Sequence, residues 1–152
     1  ASDKDFLYIA DMGNNFDTRK NLQIVKVPID PKINKTEFIN FYYPEQSEFE
    51  FRLSSMYDAE GLISIDDYLL IFTKNRAKKI TEIYKISKLP GSKIAKKIGS
   101  LDCRSIVTGA DYNEDLKQPH PFLEGFPHQC LNLLCINYES YLKTHLQSLL
   151  LL

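Results

Sequence analysis

Much of the usual apparatus of catalysis and of nucleic-acid binding is missing from this 152-residue chain. Its 19 Lys and Arg nearly balance its 20 Asp and Glu, leaving a formal net charge of −1, so nothing draws it to nucleic acid or to an anionic membrane. The three cysteines include no C-x-x-C pair and supply neither a zinc site nor an evident disulfide framework. Cys103 reads as a small buried side chain rather than a nucleophile. His120, His128 and His145 lack metal-ligand spacing. No Gly-rich phosphate loop, nucleophile elbow or ordered Ser/His/Asp set occurs. No signal peptide or spanning helix is visible, and the Leu149–Leu152 run is too short to cross a bilayer.

What the chain does have is short strands in a repeating order. From Tyr57 to Asp102 four are expected. Gly61–Ile65 is small and apolar, and Tyr68–Thr73 is a near-continuous apolar run of the kind buried on both faces. Thr81–Ser87 alternates, with Glu82 and Lys85 turned outward. Ala95–Leu101, with two lysines and a glycine, has the polarity of a sheet edge. Asp66-Asp67 makes a tight turn, Pro90-Gly91 predicts another, and a longer cationic loop spans Lys74–Lys79.

The preceding segment repeats three of these strands. Phe6–Ile9 aligns with Tyr68–Ile71, Leu22–Val27 with Thr81–Ile86, and Glu37–Tyr42 stands in the place of Ala95–Leu101. Nothing before Phe6 serves as an innermost strand, and Val107–Asn113 reads as the innermost strand of a third unit. A four-stranded repeat of roughly 60 residues, buried first and exposed last, is the pattern of a propeller blade with insertions. The expected fold is all-β. Residues 1–115 form a fragment of a β-propeller: three strands of one blade, a complete second blade of four antiparallel strands, and the first strand of a third. Such blades cannot cover their own faces, so the chain reads as a piece of a larger protein.

Composition changes after Asp115. Residues 116–152 are expected to depart from the fold as an irregular or helical tail. Two readings stand: a helical cap over Tyr138–Leu152, or a stretch out of frame with the rest.

In order, the segments LYIADMGNN, LQIVKVP, FINFYYPEQ, DAEGL, LLIFTKN, TEIYKIS, KKIGSLD and VTGADYNE resemble the secreted β-propeller proteins of Bacteroidetes, which often carry a type nine secretion sorting domain. The resemblance covers Phe6 to Asp115 and implies an extracellular or cell-surface location. The sequence departs from it after Asn113. The stretch Asp58-Ala59-Glu60-Gly61-Leu62 is also similar to the D-x-E-G-[IL] motif of phytase-like and esterase-like propellers, which implies metal-assisted hydrolysis.

Blade topology places the Asp11–Asn21, Tyr57–Glu60 and Lys74–Lys79 loops on one face, with candidate ligand-facing residues Asn14, Asn15, Asp58, Glu60, Lys74 and Asn75. Asp58 and Glu60, two apart, point the same way and with Asp11 could offer oxygens to Ca²⁺. Alternatively they cap the start of their strand and bond amides of the neighbouring blade. Asp11–Asp17 spaces its oxygens like a calcium loop but lacks the glycine and bidentate glutamate of an EF-hand, so turn formation competes. The cationic loop reads as a solvated face. Two functions follow: a binding module for a glycan, peptide or protein, or a calcium-dependent hydrolase of lactonase, esterase or phytase type. Thr108-Gly109-Ala110 does not repeat D-x-E, which favours binding.

Overall fold

The computed structural model describes residues 1–102, 106–112 and 131–136. Among them are ten β-strands and no helix: β1 (Phe6–Asp11), β2 (Leu22–Pro28), β3 (Glu37–Tyr42), β4 (Ala59–Ile65), β5 (Tyr68–Thr73), β6 (Thr81–Ser87), β7 (Gly91–Ile94), β8 (Lys96–Leu101), β9 (Ile106–Tyr112) and β10 (Leu131–Ile136). They form a first sheet in the order β1-β2-β3-β7, a second in the order β4-β5-β6-β8, and a β9-β10 pair.

The two four-stranded sheets share one register. Phe6, Tyr8 and Ala10 lie opposite Pro28, Lys26 and Ile24, as Tyr68, Leu70 and Phe72 lie opposite Ser87, Lys85 and Ile83. Even a cation–π contact recurs. Lys26 Nζ sits 4.0 Å from the centre of the Phe6 ring, and Lys85 Nζ 4.2 Å from that of Tyr68.

Alternation decides what each sheet covers. Leu62, Leu69, Ile71, Tyr84 and Ile86 leave one face of the second sheet and pack on Tyr8, Ile24, Ile39 and Phe41 of the first. Ile63, Ile65, Leu70, Phe72 and Ile83 leave the other face and pack on Val107 and Ala110 of β9. That is why β5 is buried from Leu69 to Thr73 and reads as one apolar run. Gly61 permits the close approach of β9: a Cβ there would stand 2.9 Å from Phe72 Cβ and 3.2 Å from Ala110 Cβ. β8, the lysine-bearing strand, lies at its sheet's edge, and its residues are exposed or half-buried.

The structure differs from expectation in four places. The Pro90-Gly91 stretch does not turn directly into the last strand. Lys88–Pro90 bend, Gly91 takes a φ of 95°, and β7 runs parallel to β3 from Gly91↔Ile39 to Ile94↔Tyr42. The expected Ala95–Leu101 strand is therefore β8 alone, and the Ala95 amide donates to the Tyr42 carbonyl at 2.9 Å. Glu82 is buried, not turned out. Its carboxylate takes the Lys97 ammonium at 2.5 Å and the Asn75 amide at 3.4 Å, which satisfies a charge placed beside the core. Finally, β10 lies where the sequence predicts no strand, and it pairs antiparallel with β9. The Tyr138–Leu152 segment lies outside the described residues. No helix among the described residues is long and apolar enough to cross a membrane.

Candidate functional site

Alternating strand direction gathers the loops 12–21, 43–58 and 74–80 at one end of the two sheets. Asp58, immediately before β4, is fully buried there. Its Oδ1 accepts the Asn14 amide at 2.7 Å. Its Oδ2 lies 3.0 Å from Arg76 Nη2 and 3.2 Å from Lys74 Nζ. Its own amide donates to Ser55 Oγ at 3.0 Å, and its carbonyl accepts the Lys74 amide at 2.6 Å. Glu60 falls at a register shift in β4, where its half-exposed side chain pairs with the same Lys74 ammonium. Two carboxylates thus face two cations. The charges balance, and so burial is tolerated.

A second buried carboxylate stands beside it. Asp17, held at a φ of 57°, accepts the Met56 and Tyr57 amides at 2.9 and 3.1 Å, and the Ser55 hydroxyl lies 2.5 Å from its Oδ1. Gln46 Nε2 donates to the Asp17 carbonyl at 2.8 Å. Asp17 and Asp58 therefore clamp the 12–21 loop of the first sheet to the segment leading into the second. Tyr43 packs below this knot between the Tyr57 and Tyr84 rings. Burial first, then the neighbouring Tyr84 and carboxylates, pushes its hydroxyl's pKa well above the usual phenol range.

The predicted site residues divide accordingly. Asn14, Asp58, Lys74 and Glu60 are brought together, and Asn15 joins through Arg76, which bonds its carbonyl at 3.1 Å and its side-chain oxygen at 2.7 Å. Asn75 lies in the adjoining loop, bonding Lys78 through Oδ1 and Glu82 through Nδ2. Asp11 stands apart from the knot. It pairs with Arg19 at 2.8 Å and Gln23 at 3.0 Å, which hold its pKa below the usual carboxylate range. The 74–79 loop, read from its charge run as solvated, is half interior: Lys74 and Arg76 are buried, Lys78 and Lys79 exposed.

Calcium chemistry fits poorly here. Both oxygens of Asp58 are engaged, and a dication would have to enter beside Lys74 and Arg76. Among the described residues no three His, Cys, Asp or Glu side chains converge to hold an ion.

Two features escaped sequence reasoning. On this same end Phe16 and Phe51 stack with centroids 4.7 Å apart while remaining 45% and 65% exposed. The Arg52 amide bonds the Phe16 carbonyl at 3.1 Å, Leu53 is exposed beside them, and Lys20 sits 4.8 Å over the Phe49 ring. Thirty-five positions of sequence separate the two stacked rings (51 minus 16), so no local pattern announces the pair. The other feature is a cleft of about 1020 Å³ at the opposite end, lined by Asp3, Tyr8, Lys26, Asp66, Tyr68 and Lys88 among others. Several of its polar groups bond one another. Asp3 takes Lys88 Nζ at 2.9 Å and the Tyr8 hydroxyl at 2.8 Å, while Lys88 also donates to the Asp66 carbonyl at 2.5 Å. There the Asp3 and Lys88 side chains are spent on joining the sheets.

No protein family, curated protein or solved structure matches this chain.

Proposed function

We propose that the two four-stranded sheets are successive blades of a β-propeller, and that the protein is an extracellular or cell-surface binding module holding a glycan, peptide or protein at its loop end. The shared strand register and the packing of β9 behind β4 support the propeller reading. The observation that carries the binding reading is the Phe16–Phe51 stack. Two exposed phenyl rings lose favourable burial unless a partner covers them, and rings mounted on a fixed base present a ready platform for a sugar face or an apolar side chain. The base is fixed because Asp17 and Asp58 pin the loops that bear both rings.

The engaged state of Asp58 counts in favour of binding over metal-dependent hydrolysis. Its carboxylate serves the joint between the sheets, which is the work of a strand cap.

The test is a panel of immobilised glycans and peptides probed with the wild-type protein and with Phe16→Ser and Phe51→Ser. A ligand whose affinity falls about tenfold or more in either variant supports the platform, since losing one good stacking contact is worth roughly 1–3 kcal/mol. Binding indifferent to both substitutions overturns it. Calorimetric titration with Ca²⁺ decides the hydrolase alternative, which gains only if the wild type gives heat and Asp58→Asn does not.

A further inference from the structure

The connection between β2 and β3 carries a motif that neither strand needs. It opens with a turn around Pro31. The Asp30 carboxylate accepts the Lys32 amide at 2.9 Å, and the Asp30 carbonyl accepts the Ile33 amide at 3.0 Å. The ladder between the two strands starts only at Lys26↔Glu37. Between turn and ladder lie Asn34, Lys35 and Thr36, the one Asn-x-Ser/Thr triplet in the whole sequence.

All three residues are exposed. Among the described residues, neither the Asn34 side-chain amide nor the Thr36 hydroxyl has a hydrogen-bond partner, so both are available to another molecule. Lys35, between them, pairs instead with Glu37 Oε1 at 2.9 Å. An asparagine in such a triplet is the acceptor for N-linked sugar, and it must stand on the surface because the attached chain is bulky and hydrated. This one does. β2 ends and β3 begins at the end of the first sheet away from the 12–21 and 43–58 loops, so a chain on Asn34 leaves the Phe16–Phe51 stack uncovered.

We propose that Asn34 is an N-glycosylation site, which accepts an oligosaccharide from a polyprenyl diphosphate carrier through a membrane-bound transferase. Asn34 Nδ2 forms a bond to the anomeric carbon of the first sugar. The bond from that carbon to the diphosphate oxygen breaks, and the polyprenyl diphosphate leaves with the electron pair. Nδ2 gives up one proton to a base of the transferase. The Thr36 hydroxyl is the group by which the transferase recognises the acceptor. The site rests on the extracellular or cell-surface location proposed above and is independent of the Phe16–Phe51 platform.

The test is to send the full chain through a eukaryotic secretory route behind a fused secretion leader and to weigh the product before and after peptide N-glycosidase. The wild type is expected to carry a sugar mass that the glycosidase removes, leaving an aspartate where Asn34 stood. Asn34→Gln and Thr36→Ala are each expected to lose it completely. Thr36→Ser keeps the hydroxyl and is expected to keep the sugar. Transfer takes place on the emerging chain, so a variant that folds badly still gives an answer. An unmodified wild type, or a sugar that persists in Asn34→Gln, overturns the proposal. Amide exchange in β2 and β3 is the second measurement, made on the glycosylated protein and on the same protein after the glycosidase. Similar exchange in the two is expected, and exchange faster by about tenfold or more with the sugar attached means that the loop has no room for it and also overturns the site. Failure here leaves the loop-end reading standing, because that reading is measured through Phe16 and Phe51.

Discussion

The first and second sheets follow one plan in different surroundings. Ile71 and Ile9 occupy the same place in that plan, yet one is sealed between layers and the other half open to solvent. The difference teaches that burial here belongs to the neighbours, not to the strand. β5 is dry because the first sheet covers one side and β9 the other, whereas among the described residues β1 has cover on one side only. The two sequences do not register this difference, for Phe6–Ala10 is as continuous an apolar run as Tyr68–Phe72.

Several substitutions sharpen that contrast. The largest effect is expected at the joint. Asp58→Ala removes the buried carboxylate that Lys74 and Arg76 share and should cost about 3–5 kcal/mol in urea unfolding. A cost below about 1 kcal/mol would mean that the knot does not hold the two sheets together. Ile71→Ala should cost about 2–5 kcal/mol, as for a fully buried aliphatic side chain. Gly61→Val forces β9 away from β4 and should cost about 1–3 kcal/mol, accompanied by faster exchange in β9. Ile9→Ala is the control for the whole comparison, at about 1 kcal/mol or less because its side chain stays half in water. Parity between Ile9 and Ile71 would erase the distinction between the sheets.

The smallest effect is electrostatic. Burial alone would raise the Asp3 pKa, but the Lys88 ammonium, the Tyr8 hydroxyl and the Asp5 and Phe6 amides outweigh it and bring the group down to about 2 from 3.8. A depressed carboxylate contributes stability that is present above its unfolded pKa and lost as pH falls through its folded one. Acid titration should therefore remove it between about pH 4 and pH 2, and Asp3→Asn should flatten that part of the stability curve. Screening at this part-exposed site keeps the change at about 1 kcal/mol or less.

Strand positions were legible because alternation and apolar runs are local signals. Phe6–Ile9, Leu22–Val27 and Tyr68–Thr73 lie within the strands found there. The pairing of the two units was legible for the same reason: equal spacing brings Lys26 under Phe6 and Lys85 under Tyr68 alike. What stayed hidden depends on distant partners. Lys74 and Arg76 look like solvated charge until Asp58 is placed beside them. Glu82 reads as an outward residue until Lys97 arrives across the ladder. β7 has only four residues and follows Pro-Gly, so its preference for β3 over its own sheet leaves no local mark. Of the candidate site, the Asn14–Asp58 contact follows from the expected blade geometry, whereas Asp17, Ser55 and the stacked phenylalanines do not.

The parallel strap from Gly91 to Ile94 ties the rim of the first sheet to a hairpin of the second. Heat or denaturant that melts β6 and β8 must strip this edging from β3 at the same moment and open its backbone to pairing with strangers. Neither half can loosen by itself, so a scanning calorimeter should record one peak where two independent halves would give two.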